Sequence, residues 1–300
     1  MNKALIIAKQ TFIENLSLKK TWIYFIFVVS ITLLGLKLSI QPGYLNFIDK
    51  NAEFVSWYFL MGFFWIVGLP YMLYIGALSV NSVSKEINDG TIMLVFTRPL
   101  RRYEFLLGKF LGLFFYGLFI NTMILFFVSS LVGIFYALDA TIMKSLYTAS
   151  FSLFFYNILL TFFIISFGMF LSSNIKKNII SMSVLFVLIL SIFFIPPIIN
   201  ATIGSYQDKV PDLAFLLGST SVKILETFGI DLTPAAKENI ASPTGVFSNI
   251  YFQSTNLPSY VMEPAKVSNI SLFLLVIIIL ILTSLLYYLG LLIIKKKEIY

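Results

Sequence analysis

The chain has 300 residues, of which 59% are hydrophobic and only 12% charged, and its formal net charge is +7. A soluble domain carries about 25% charged residues, so a mean hydropathy of +0.93 excludes an ordinary water-soluble fold. The apolar runs do not alternate, which excludes a β-barrel, and the absence of Cys and His excludes disulfides, thiolate chemistry, the usual zinc sites and histidine proton relays.

What remains is an all-α polytopic membrane protein. "SLFLLVIIILILTSLLYYLGLLII" at 271–294 shows the pattern, since about 18 or more uncharged residues span a hydrocarbon core. The net charge is read as topology rather than as a nucleic-acid surface, because the basic residues stand at the edges of the apolar runs.

Residues 1–20 predict a helix lying in the membrane interface. Leu5, Ala8, Phe12 and Leu16 share one helical face with Ile6 and Ile13 beside it, and Lys3, Gln10, Glu14 and Ser17 lie opposite. Ile7 and Lys9 interrupt the pattern. The apolar run is too short for a secretory signal, and no small-residue cleavage site follows.

Six spans follow, at about 21–41, 54–80, 105–137, 148–172, 179–199 and 269–294. The second and third are overlong and are expected to tilt, kink or project. Pro70 predicts a kink in the second. Placing the N-terminus in the cytoplasm puts 14 of the 21 Lys and Arg residues inside. The short outer loops then keep only Lys37, Lys50 and Lys144, so both termini are expected to be cytoplasmic. Residues 200–268 form the one long polar segment, predicted to be a small helical cap on the outer face. Asn200-Ala-Thr and Asn269-Ile-Ser match the glycosylation sequon, a pattern frequent by chance.

The charge is concentrated in the loop at 82–104 and just beyond it, with Lys85, Glu86, Asp89, Arg98, Arg101, Arg102, Glu104 and Lys109 in one stretch. Asp89-Gly90 could turn a hairpin into "TIMLVF", but "SVSKEIN" before it does not alternate. In the helical reading Gly90 ends the long helix. Thr91 then caps a short helix, Ile92–Phe96, with Leu94 and Val95 inside it, and Thr97-Arg98-Pro99 terminates it. An apolar helix of that kind in water marks a partner's groove, with Arg98, Arg101 and Arg102 flanking the contact. A positive-inside anchor loop accounts for the arginines but leaves the apolar run unexplained.

Elsewhere the chemistry is sparse. "LLGKF" at 106–110 has Gly-Lys, but no glycine stands five residues before Gly108 and no Ser or Thr follows Lys109, so there is no Walker phosphate loop. No carboxylate pair sits within a span, and no ionisable residue lies near a span centre, Lys37 and Asp139 standing at outer ends, which argues against proton-coupled transport. Asn121 and Asn157 are mid-span polar residues expected to bridge helices. Gly108 and Gly112 form a GxxxG step for close helix packing.

The stretch "KEINDGTIMLVFTRPLRRYEFLLGKFLG" resembles the signature of ABC transporter permeases of the type-2 family. Glu86, Gly90, Thr91, Pro99, Arg101 or Arg102, Gly108 and Lys109 carry the match, and "SPTGVFSNI" at 242–250 adds to it. The resemblance implies one six-span domain over 1–300 with a type V exporter fold, in the cell membrane. It also implies a non-catalytic subunit without a cofactor of its own, ATP and Mg being held by a separate ABC ATP-binding subunit. A second copy of this chain or a paralogous permease would complete the complex, and the helix after Gly90-Thr91 would be a coupling helix seated in the ATPase. The function so implied is ATP-driven export. A different class is a mechanical transmitter that moves an extracytoplasmic partner protein, as in copper-enzyme maturation, and a third is a stand-alone receptor or immunity protein.

Overall fold

The computed structural model describes residues 3–16, 19–40, 47–88, 101–175, 177–203, 213–229 and 271–296, and among them every regular element is helical. In chain order these are α1 (Lys3–Leu16), α2 (Lys19–Ser39), α3 (Phe47–Met61), a π-helical turn (Gly62–Ile66), α4 (Leu69–Asn88), α5 (Arg102–Phe135), α6 (Ala140–Asn174), α7 (Asn178–Ile203), α8 (Leu213–Thr227) and α9 (Leu272–Lys296). Six stretches are long and apolar enough to cross a membrane: 19–39, 53–84, 102–135, 140–174, 178–195 and 272–294. The chain is therefore an all-α polytopic membrane protein.

α5 and α6 have 34 and 35 residues. At 1.5 Å per residue each is roughly 50 Å long, well beyond a ~30 Å hydrocarbon core. The charged residues of α5, Arg102, Glu104 and Lys109, all stand in its N-terminal part. α6 is the central helix, with 67% of its apolar 18-residue stretch buried, whereas α9 lies on the rim with 17% of its own buried.

The second span breaks earlier than Pro70 predicts. The break is the π-helical turn, where the Val67 N–H donates to the Gly62 carbonyl at 2.8 Å. Gly68 makes it sterically feasible, since a Cβ there would lie 2.4 Å from the Phe63 oxygen and 2.5 Å from the Phe64 oxygen. Pro70 is the second residue of α4, where its missing N–H costs nothing.

α1 packs along the first half of α5, and the two run in the same direction. A Cβ at Gly108 would meet Ile7 Cβ at 2.6 Å and the Ala4 oxygen at 2.7 Å, and one at Gly112 would meet the Ala8 oxygen and Thr11 Cβ, each at 2.6 Å. Further along, Phe12 packs edge-on against Tyr116 and Phe119. The packed face is therefore Ala4, Ala8 and Thr11, while Leu5, Ile6 and Ile13 point outward. This differs from the face expected from hydropathy. Helix contact next to lipid is selected by small size, because apolar side chains gain little by leaving lipid for another helix.

α8, the helix expected in the outer segment, is embedded. Leu217 lines a cavity with Phe63, Gly68, Met72, Tyr156, Ile192 and Phe193, and Phe228 packs on Phe155 with ring centroids 5.5 Å apart. Tyr156 is near the midpoint of α6, so α8 reaches the level of the break in the second span.

Hydrogen bonds at three levels tie the helices together. Tyr58 Oη donates to the Leu125 carbonyl at 2.9 Å and pairs with Ser150 Oγ at 2.6 Å, joining α3, α5 and α6. Tyr71 Oη pairs with Thr161 Oγ1 at 2.5 Å, and Thr161 donates to Asn157 Oδ1 at 3.1 Å. Thr21 Oγ1 donates to the Asn15 carbonyl at 2.8 Å and also meets Tyr116 Oη at 2.7 Å and Tyr74 Oη at 3.1 Å. A carbonyl only accepts, so the Thr21 proton goes there; the Tyr74 and Tyr116 hydroxyls are themselves 2.7 Å apart, and their two protons serve the three remaining contacts.

Candidate functional site

Five helix ends meet at the charged end of the bundle, around the segment that joins α4 to α5. Asp89, Gly90, Thr91, Ile92, Leu94, Val95, Phe96, Arg98 and Pro99 lie outside the described residues; the frame that carries them does not.

α5 begins at Arg101, whose backbone is extended with φ −78° and ψ 141°. Its N–H donates to Glu104 Oε2 at 2.9 Å, so Glu104 satisfies a donor at the helix start and complements the helix dipole. The Arg101 side chain is exposed and bonds Tyr103 Oη at 3.3 Å. That bond, followed by the charges of Tyr103 and Glu104, raises its pKa above the usual guanidinium value.

Arg102 turns the other way. Its Nη1 donates to the Ile294 carbonyl at 2.9 Å, so the guanidinium caps the last turn of α9, where carbonyls have no partner within the helix. Two turns on, Lys109 Nζ meets Glu86 Oε1 at 2.6 Å, with side-chain exposures of 13% and 22%. This ion pair joins the last turn of α4 to α5 and is partly shielded from solvent. On the far side of α4, Asn178 at the start of α7 donates through Nδ2 to Asn81 Oδ1, and its Oδ1 accepts from Ser84 Oγ at 3.0 Å. Ala4 at the start of α1 abuts Gly108.

The loop therefore leaves a frame in which α1, α4, α5, α7 and α9 are directly tied. Gly108 and Gly112 are the groove that receives α1. Asn121 Nδ2 donates to Asn157 Oδ1 at 2.9 Å, linking α5 to α6 away from this end, and both side chains are fully buried.

Sequence reasoning had Glu86 and Lys109 in one charged stretch without pairing them. The sequence places Arg102 among the arginines flanking the loop's partner contact, and in the structure its Nη1 also bonds the Ile294 carbonyl of α9. Arg101-x-x-Glu104 carries the acidic half of a capping box and was legible. The Arg102–Ile294 contact spans 192 residues and left no local signal.

The model of a family described as ABC-2 family transporter protein matches residues 5–299, and the chain belongs to that family. No curated protein matches the chain.

Proposed function

We propose that this ABC-2 family chain is the permease subunit of an ATP-driven exporter, worked by an ATPase on a separate chain. In this reading Ile92–Phe96 is the coupling helix and sits in a groove of the ATPase, with Arg98, Arg101 and the flanking charges at its edges. Both termini and the loop at 82–104 are cytoplasmic. ATP and Mg belong to the partner, and a second copy of this chain or a paralogue supplies the other half of the pathway.

The observation that supports this best is the frame beneath the loop. Glu86–Lys109 and Arg102–Ile294 tie the ends of α4, α5 and α9 to each other. A push on the loop is thus delivered to three spans together rather than bending one.

A second reading is a transmitter that moves an extracytoplasmic partner without carrying a substrate. It is favoured by α8, whose Leu217 lines one cavity with Phe63 of the π-helical turn and Met72 of α4. The segment preceding the last span thereby shares a cavity with the span whose other end leads into the loop.

The test is Leu94→Asp. A charge left unpaired in a protein groove costs about 3–5 kcal/mol, and each 1.4 kcal/mol is about tenfold in affinity. The ATPase is expected to fall away on copurification while membrane insertion is unchanged. Retained ATPase at full activity, with Gly90→Val equally silent, would return the loop to a basic anchor. Transport of a labelled substrate by reconstituted vesicles separates export from pure transmission.

A further inference from the structure

One turn before its end, α4 is spliced to α6. In a regular helix the Ser84 N–H bonds the Val80 carbonyl. Here the Ser172 hydroxyl of α6 engages both groups: the Ser84 N–H donates to Ser172 Oγ at 2.8 Å, and Ser172 Oγ donates to the Val80 carbonyl at 2.7 Å. A hydroxyl with one proton and two lone pairs can serve both partners at once. Val80, Ser84 and Ser172 are all buried, so water does not compete.

The close approach that allows this comes from Gly168, one turn earlier on α6. A Cβ there would lie 1.8 Å from Ser79 Oγ. The Ser84 hydroxyl reaches both the Val80 carbonyl at 2.7 Å and Asn178 Oδ1 at 3.0 Å, and its single proton serves one at a time. A side chain inserted at the ladder of a helix is a recognised place for that helix to bend.

We infer that Ser172 is a positioning residue: its hydroxyl sets the direction of the last turn of α4, and with it Glu86 and the loop beyond. The direction of this turn follows α6, the central helix of the bundle. Only the consequence for ATP-driven work rests on the proposed function; the positioning itself does not.

The chain has no cysteine, so spin labels can be placed at Asn88→Cys and Ile134→Cys in the full chain in lipid nanodiscs, with and without the ATPase that copurifies. Ser172→Ala and Ser172→Val should move or broaden the inter-label distance distribution. Ser172→Thr, which matches Val in shape but keeps the hydroxyl, should hold it in place. Ser152→Ala should also leave it in place, because Ser152 Oγ bonds the Ala149 carbonyl of its own helix at 2.8 Å. A distribution unmoved in both the Ala and Val variants overturns the inference. So does one that moves equally in Thr and Val, since bulk would then be the cause. ATP hydrolysis by the Ala complex should fall about fivefold, the scale of one neutral hydrogen bond. Labels that move with hydrolysis unchanged would retain the positioning role and remove its part in coupling.

Discussion

Gly108→Ala with Gly112→Ala should lift α1 off α5. The added Cβ atoms would lie 2.6–2.7 Å from the Ala4 and Ala8 oxygens and 2.6 Å from Ile7 Cβ and Thr11 Cβ. Carbon and carbonyl oxygen sit at about 3.3–3.6 Å in a close helix contact, so α1 must retreat by nearly 1 Å along two turns. Two of the obstructing atoms are backbone oxygens, which no change of rotamer can move aside. Overpacking of this kind costs about 1–3 kcal/mol per site. Even about 1.4 kcal/mol in total would make the undocked population tenfold larger. Hydrogen exchange of the full chain in nanodiscs reads this directly, and the amides of 3–16 should exchange about tenfold faster or more. Gly290→Ala is the matched control, because its Cβ would come no closer than 3.3 Å, to Phe170 Cα. Unchanged protection of α1 in the double variant would refute the packing argument, and an equal effect from Gly290→Ala would refute its specificity.

Two further outcomes follow from the same frame. Lys109→Glu or Glu86→Lys alone should place like charges at a half-shielded site and weaken the tie between α4 and α5. The double swap should recover most of the loss, and a double-mutant cycle on thermal stability with no coupling between the two positions would exclude the pair as a strut. For topology, cysteine at Asn174 should be shielded from an impermeant thiol reagent in intact cells, and cysteine at Glu226 should react. Both positions are exposed on the protein. Labelling at Asn174 with sealed membranes would reverse the orientation.

How much was legible in the sequence follows from the solvent. The long apolar runs determine helices, since a backbone in lipid must satisfy its own hydrogen bonds. Their number and order were readable to within a few residues for most spans, and the loop's Glu86, Gly90-Thr91, Pro99 and Gly108-Lys109 pattern pointed to the family. The sequence could not say which face of a helix meets another helix. In water, hydropathy separates buried from exposed; next to lipid, Leu5 outside and Ala8 inside are both in apolar surroundings, so hydropathy does not tell them apart. Shape decided instead, through Ala4, Ala8 and Thr11 against Gly108 and Gly112. The break in the second span was read at Pro70, the strongest local signal. It falls at Gly62–Ile66 because Gly68 alone admits the Phe63 and Phe64 carbonyls. The ties that frame the loop were decided by tertiary structure alone. Arg102 with Ile294 and Ser172 with Ser84 join positions far apart in the chain, and Glu86 with Lys109 joins two different helices; such pairs meet only once the helices have packed.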